Sequence, residues 1–261
     1  MIELSPHEFH TVSSLFKEIE HSVALVYSVI EGNSPGRVFV DRLDTPSSAY
    51  LFHKEAFHYV GGSAADSSFN QAMVSLIFDD VLSRLEEQEL VLFAFSDAWR
   101  QELDVLLSHR GVMRIRRKVL SFNLLRFQAY AGWRGQLTEG VCVRHIDEQL
   151  VEKNADYRHL VEARTKGFGV CVMRDDEIAS VCRAVAVGEG EVEIDIHTEE
   201  KYRRQGYALL AACAFIEESL SRNLTPSWAC WPEREASYAL AKKLGFEDKP
   251  DVPVHFWAKG M

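Results

Sequence analysis

The sequence predicts an α/β (α+β) protein of two domains, residues 1–130 and 131–261. Three observations carry this. Short β-type runs alternate with helix-type segments along the whole chain of 261 residues. The stretch Tyr130–Glu139, YAGWRGQLTE, is glycine-rich and aperiodic, as an interdomain boundary should be. The blocks on either side, 36–123 and 167–259, repeat one order of elements: strands, a glycine, a long helix, a strand, a helix, a strand. No residue-level similarity accompanies that repeat, so it reads as a worn duplication with the N-terminal block as its degenerate half.

The first thirty residues read as helix, because Phe9, Val12, Leu15, Phe16 and Ile19 recur at helical spacing. The turn cluster Glu31–Arg37 follows, then the β-type runs RVFVD, SAYLFH and AFHYV, with LDTPSS turning between the first two. Gly61-Gly62-Ser63 interrupts the pattern ahead of a helix at about Asn70 to Glu87. The residues Glu89–Ser96 form a buried-type strand, DAWRQELDVLLSH a helix capped by Asp97, and RIRRKVLSFN a further strand. Beyond the boundary, RHIDEQLVEKN reads as a short helix, and residues 168–198 as three strands joined by RDDE and GEGE turns. A helix to about Ser221, the strand PSWACW, the helix EREASYALAKKLG and the strand PVHFWAK complete the chain.

Composition narrows the function. Met1–His10 is polar and interrupted by proline, unlike a signal peptide, and no apolar run approaches the roughly 18 residues of a membrane helix, so a cytoplasmic protein without membrane contact is expected. The net charge of −10 repels nucleic acid, and the one dense basic run, Arg114–Lys118, continues into a strand pattern with a solvated face. An acidic excess suits a cationic small substrate. The five cysteines form no C-x-x-C pair and sit among apolar neighbours, as reduced core residues do, and the ten histidines lack ligand spacing, so no metal is expected.

The chemistry concentrates at EVEIDIHTEEKYRRQGYALL. Strict alternation puts Val192, Ile194 and Ile196 on one face of a strand and Glu191, Glu193 and Asp195 on the other. The helix that follows begins near Gln205 or Gly206 and turns Leu209, Leu210, Cys213, Ile216 and Leu220 inward. A helix start leaves unpaired N–H groups and about half a positive charge. Gly206 and Ala208 lack bulk there, while Arg203 and Arg204 add positive charge, which together suit a pyrophosphate. The pattern Arg-x-x-Gly-x-Ala is weak alone, and the acidic strand before it and the strand-helix-LGF unit after it give it weight.

EIDIHTEEKYRRQGYALLAACAF resembles motif A of the GCN5-related N-acetyltransferases (GNAT), in which Arg203, Gly206 and Ala208 match the Arg/Gln-x-x-Gly-x-Gly/Ala signature. SWACWPEREASYALAKKLGFED resembles the motif that follows it, and the likeness covers about Gly167 to Met261. It is similar in particular to a bacterial subgroup with an extra N-terminal domain, which includes a self-protection acetyltransferase acting on an antibiotic amine. The resemblance implies the GNAT fold, a mixed, mostly antiparallel sheet flanked by helices, with an N-terminal domain that is a degenerate GNAT-like half. It implies acetyl-CoA as cosubstrate, lying in a splay between the strand ending at Thr198 and the strand Ser227–Trp231. Ile196, His197 and Thr198 would pair with the pantetheine, and Arg203, Arg204, Gln205, Gly206, Tyr207 and Ala208 would hold the pyrophosphate. Glu193 would serve as general base, with Asp195 second.

Two departures stand out. The family's usual proton-donating tyrosine corresponds to Ala241, leaving Tyr238 one helical turn earlier as a substitute, and Arg234 stands where an asparagine often touches pantetheine. The function implied is transfer of an acetyl group to a primary amine of a small molecule, by a monomer or homodimer. A catalytically idle acyl-CoA-binding or regulatory module is the alternative, and aminoacyl transfer from tRNA a third that the charge disfavours.

Overall fold

The computed structural model describes residues 1–54, 56–85, 88–153 and 167–260. It divides into two compact units, Met1–Arg117 with Asp251–Met261, and Lys118–Pro250. These meet at 117/118 and again at 250/251, whereas glycine content alone points to 130/131.

In the first unit, β1 (Ile2–Glu3), β2 (Gly36–Val40), β3 (Ser48–His53) and β4 (Phe57–Gly62) run antiparallel to one another in order. Next, β5 (Glu89–Ala94) lies parallel to β4, from Phe57↔Val91 to Val60↔Ala94. The start of β6 (Met113–Ser121) does not pair with β5 directly. A late strand, β13 (Val252–Ala258), lies between them, antiparallel to both. The closing strand therefore belongs to this unit.

The N-terminal helix reading needs correction. Pro6–Phe16 winds as a 3₁₀ helix, and α1 (Val23–Ile30) is separate, with Ser22 left-handed at φ 56° between them. Apolar spacing of three and four fits a three-residue turn as well as a 3.6-residue one. The next helix, α2, spans Ser67–Leu76 and widens into a π-turn at Ile77–Val81, and Glu86 and Glu87 of the expected helix lie outside the described residues. The cap of α3 (Asp97–Leu107) is Ser96, whose side chain accepts from Trp99 N–H, rather than Asp97. Both residues carry a capping oxygen, but only the residue in extended conformation can turn it back onto the helix. Trp99 is fully buried among Phe69, Met73 and Leu103, and its Nε1–H donates to Gly62 O at 2.9 Å.

The second unit is built on the end of β6, Lys118–Ser121. A short α4 (Leu124–Phe127), β7 (Val141–His145) and α5 (Glu148–Lys153) lead into β8 (Gly169–Arg174), β9 (Glu177–Gly188) and β10 (Glu191–Thr198). Asn154 of the expected short helix lies outside the described residues. Then come α6 (Tyr207–Ser221), β11 (Thr225–Cys230), α7 (Glu235–Lys243) and β12 (Glu247–Asp248). The sheet order is β6-β11-β10-β9-β8-β7, with β12 on the other side of β6, and all pairs are antiparallel except β10–β11. The mixed, mostly antiparallel sheet flanked by helices is thus as expected.

The inner faces of α6 and the sheet share one core, in which Phe215, Ile216, Cys213, Trp228, Val192 and Phe246 are all buried. Each large apolar side chain removed from water contributes about 1.5–3 kcal/mol, so this layer fixes where α6 begins. Of the five cysteines, all of them free thiols, four are buried and Cys142 is exposed on β7, where strand alternation turns it outward. Among the described residues no helix is long and apolar enough to cross a membrane.

Two histidines of β3 and β4 bear on stability. His53 and His58 are fully enclosed, and burial pushes each down to about 3 from the usual 6.5. Unfolding between those values takes up protons, so their contribution is complete above about pH 6.5 and is lost as pH falls towards 3. Each adds a slope of about 1.4 kcal/mol per pH unit within that window. Urea midpoints measured at pH 7 and pH 5 are expected to fall steeply with acidification, and a flat profile would contradict the buried, neutral state.

Candidate active site

The site grows from the way β10 and β11 part. They share only Glu191↔Thr225, Val192↔Pro226 and Glu193↔Ser227 as parallel partners. Beyond Glu193, β10 keeps β9 on one edge, through Ile194↔Ala184 to Thr198↔Ser180, and among the described residues no strand covers its other edge. The register of β9 slips where Glu193 gives way to Ile194, leaving Val185 as the extra residue. A bulge there adds local twist, which turns the end of β10 away from β11.

Glu193 sits at the parting point. It is only 5% exposed, and its Oε2 accepts from Ser227 Oγ–H at 2.7 Å. Glu191, two register pairs earlier, is held above the usual carboxylate range by burial, with Lys249 opposing and Glu193 reinforcing the rise. Asp195, half-exposed, accepts from Arg183 Nε–H of β9 at 2.9 Å. The three acids of the alternating strand thus have three different surroundings: burial, a hydroxyl donor and a guanidinium.

Past β10 the chain turns through Glu199–Gln205 into α6. Ile196 is half-buried against the core, His197 is exposed, and Thr198 Oγ1 is 2.8 Å from Ser180 Oγ. Arg203 Nε–H reaches back to Thr198 O at 3.3 Å, while Gln205 Nε2–H donates to Lys201 O. Arg204 is left-handed at φ 64° and Gly206 at φ 86°, where it forms the N-cap of α6. A Cβ built on Gly206 would meet no atom within 4 Å, so its neighbourhood is open. The first intrahelical bond runs from Leu209 N–H to Gly206 O, which leaves the amides of Gln205 to Ala208 ahead of the ladder. Tyr207 is buried against Tyr202 and marks the first helical turn.

The loop has an anchor that motif reading missed. Glu177, at the start of β9, takes a hydrogen bond from Tyr202 OH at 2.7 Å and pairs with Lys201, and those two partners hold its carboxyl below the usual range. Among the described residues neither Arg203 nor Arg204 meets a carboxylate. The loop's cationic character therefore rests on those two arginines and the helix start. In sequence Glu177 is one acid of a turn, and nothing local points to Lys201.

The remaining positions lie on α7. Tyr238 OH donates to Asp248 Oδ1 at 2.9 Å, which raises its pKa, and Lys118 Nζ stands 4.9 Å over its ring. Arg234 is exposed at the N-terminal end of the helix, its N–H donating to Trp231 O. Ala241 is fully buried beside Leu244 and Phe246, so this position packs rather than reacts. No cluster of three or more metal-binding side chains occurs among the described residues.

The first unit carries a comparable parallel pair and helix start with opposite chemistry. There Asp66 caps α2, its Oδ1 accepting from the N–H groups of Ser68 and Phe69 at 3.0 Å each. A carboxylate already occupies the place where an anion would bind.

The molecule resembles known proteins along nearly its full length. A family model described as GNAT acetyltransferase matches residues 13–254. An uncharacterized N-acetyltransferase of Bacillus subtilis (strain 168), YdfB, is 25% identical over 263 residues, covering 97% of each chain. Among solved structures, a GCN5-related N-acetyltransferase-like protein from Streptococcus suis 89/1591 has a TM-score of 0.70 at 22% identity, over 96% of this chain and 98% of that one. A tandem GNAT protein from the clavulanic acid biosynthesis pathway gives 0.67 at 11% identity, over 100% and 98%. The two structures bear on the fold alone. With almost the whole chain inside the family match, the protein belongs to the GNAT acetyltransferase family and is an N-acetyltransferase.

Proposed function

We propose that the protein transfers the acetyl group of acetyl-CoA to a primary amine of a small molecule by direct attack. The observation that carries this is the pairing of an open, left-handed Gly206 at the head of α6 with a strand edge uncovered beyond Glu193. The helix start with Arg203 and Arg204 suits a pyrophosphate, and the amides of Gln205 to Ala208 supply donors at close range. The uncovered edge of β10 from Ile196 to Thr198 offers backbone groups to an extended amide-bearing arm. Arg234, at the start of α7, is assigned to the same arm. Acetyl-CoA supplies an acetyl group activated as a thioester.

An amine is cationic near pH 7 and must shed a proton to attack. Glu193, buried and hydrogen-bonded by Ser227, takes that proton at a carboxylate oxygen, and Asp195 beyond it on the same face attracts the cation. The amine nitrogen then bonds to the acetyl carbon as the carbon–sulfur bond breaks, with the electron pair leaving on sulfur. Tyr238, its proton committed to Asp248, is a weak acid for that sulfur, so solvent is expected to protonate it. We further propose that the N-terminal unit is a degenerate copy of the catalytic one, a reading supported by the parallel pair in each unit and by Asp66 in place of an anion. The acidic net charge and the lack of a membrane-crossing helix among the described residues are consistent with a cytoplasmic monomer or homodimer acting on soluble amines.

Calorimetric titration is expected to show one equivalent of acetyl-CoA bound per chain at micromolar affinity, and none in Gly206→Glu. Gly206→Ala should keep the site and lose only about 1–2 kcal/mol of folding stability from its left-handed backbone. Absence of binding by the parent would overturn the proposal, and two equivalents would contradict the closed N-terminal site. With an amine identified by library screening, Glu193→Gln is expected to lower kcat roughly 10²–10⁴-fold with acetyl-CoA affinity retained. Binding without turnover on any amine would favour the idle-module reading instead.

A further inference from the structure

Ser227 opens the second family-like motif without a chemical role assigned to it there, yet it touches the buried acid of the parting strands. Its Oγ lies 2.7 Å from Glu193 Oε2 and 3.2 Å from Val192 O. A hydroxyl has one proton to give, and the shorter contact is the charge-assisted one, so the proton goes to the carboxylate. The two residues are also register partners, the last parallel pair before β10 and β11 separate. Backbone pairing therefore fixes their spacing, and no long side chain has to be ordered to make the bond.

We infer that Ser227 is a positioning residue for the acyl-transfer reaction, holding the Glu193 carboxylate ionised and in place at the root of the splay. This rests on the reading of Glu193 as base. The comparison with Glu191 supports it. Glu191 and Glu193 lie on one face of β10, and both are largely withdrawn from water. Glu191 faces Thr225 with no hydroxyl bond to its carboxylate among those described, and burial lifts its proton affinity. Among the described residues, the charged groups near this stretch include Glu191 and Asp195 on its own strand, Arg183 on β9 and Lys249 beyond β12, with Cys230 the titratable residue of β11. Asp195 and Arg183 pair with each other, and Lys249 acts on Glu191. Ser227 donates to the Glu193 carboxylate itself, so its removal acts on the charged form directly.

A donor to the ionised form lowers the pKa, so deleting it raises the pKa. The test is a carboxyl-carbon NMR titration of protein labelled at glutamate, with the Glu193 signal assigned by its disappearance in Glu193→Gln. In Ser227→Ala the midpoint is expected to move up by about one pH unit, which lowers the ionised fraction roughly tenfold on the acid side. Ser227→Thr, which keeps the hydroxyl, should restore it and guards against a mere packing effect. An unchanged midpoint in Ser227→Ala, or a shift that Ser227→Thr shares, would overturn the inference. The base reading fails separately, if Glu193→Gln leaves the acid limb of kcat/KM where it was while the NMR midpoint still responds to Ser227.

Discussion

Two neighbouring parallel strands normally stay paired to their ends, because every unpaired N–H and C=O of a sheet interior must find another partner. β10 and β11 break that rule after three register pairs, and the layout of the second unit follows from the break. The extra residue on β9 twists the far end of β10 away. The core beneath, with Val192, Trp228 and Phe215 packed against α6, keeps the near ends together. The result is a wedge whose apex carries a buried acid and whose open side has strand backbone with no partner strand among the described residues. Hydrophobic packing holds the apex shut, and on the proposed reading the cosubstrate supplies the partners that the open edge lacks.

The start of α6 shows how little is needed to turn one fold position to different ends. Both units run a strand into a glycine-containing turn and then a helix. In the first, Asp66 satisfies the leading amides from within the chain, Trp99 ties Gly62 down, and the turn is closed. In the second, a left-handed glycine with open space around it caps the helix, no internal carboxylate reaches the amides among the described residues, and Glu177 draws off Lys201 while leaving the two arginines. A capping acid stabilises a helix by about 1 kcal/mol. The second unit forgoes that increment and keeps its donors available.

Much of this was legible in the residues. Alternation identified the acidic face of β10, because the bulge falls after Glu193 and leaves the pattern before it intact. The helix start was readable from Gly206, and the inward face of α6 from Leu209 to Ile216. Part of what escaped lay far away in sequence. Ser227 and Glu193 are joined by register, Glu177 and Tyr202 by a side-chain contact across a turn, and neither leaves a trace in local spacing. The 3₁₀ winding of Pro6–Phe16 and the choice of Ser96 over Asp97 as cap escaped for a local reason. There two geometries satisfy one residue pattern: apolar spacing of three and four fits either winding, and both Ser96 and Asp97 carry a capping oxygen.

The late strand β13 lies between β5 and the start of β6, in a sheet whose other strands are all made from the first 117 residues. During synthesis the first unit therefore waits, with two strand edges open, until the chain beyond Asp251 has emerged. The second unit faces no such delay, since the piece of β6 it needs precedes it. The order of completion is then the reverse of the order of translation. The second unit can close first, and the unit made first is sealed by a strand from beyond residue 250, which also hides edges that would otherwise invite pairing with another chain.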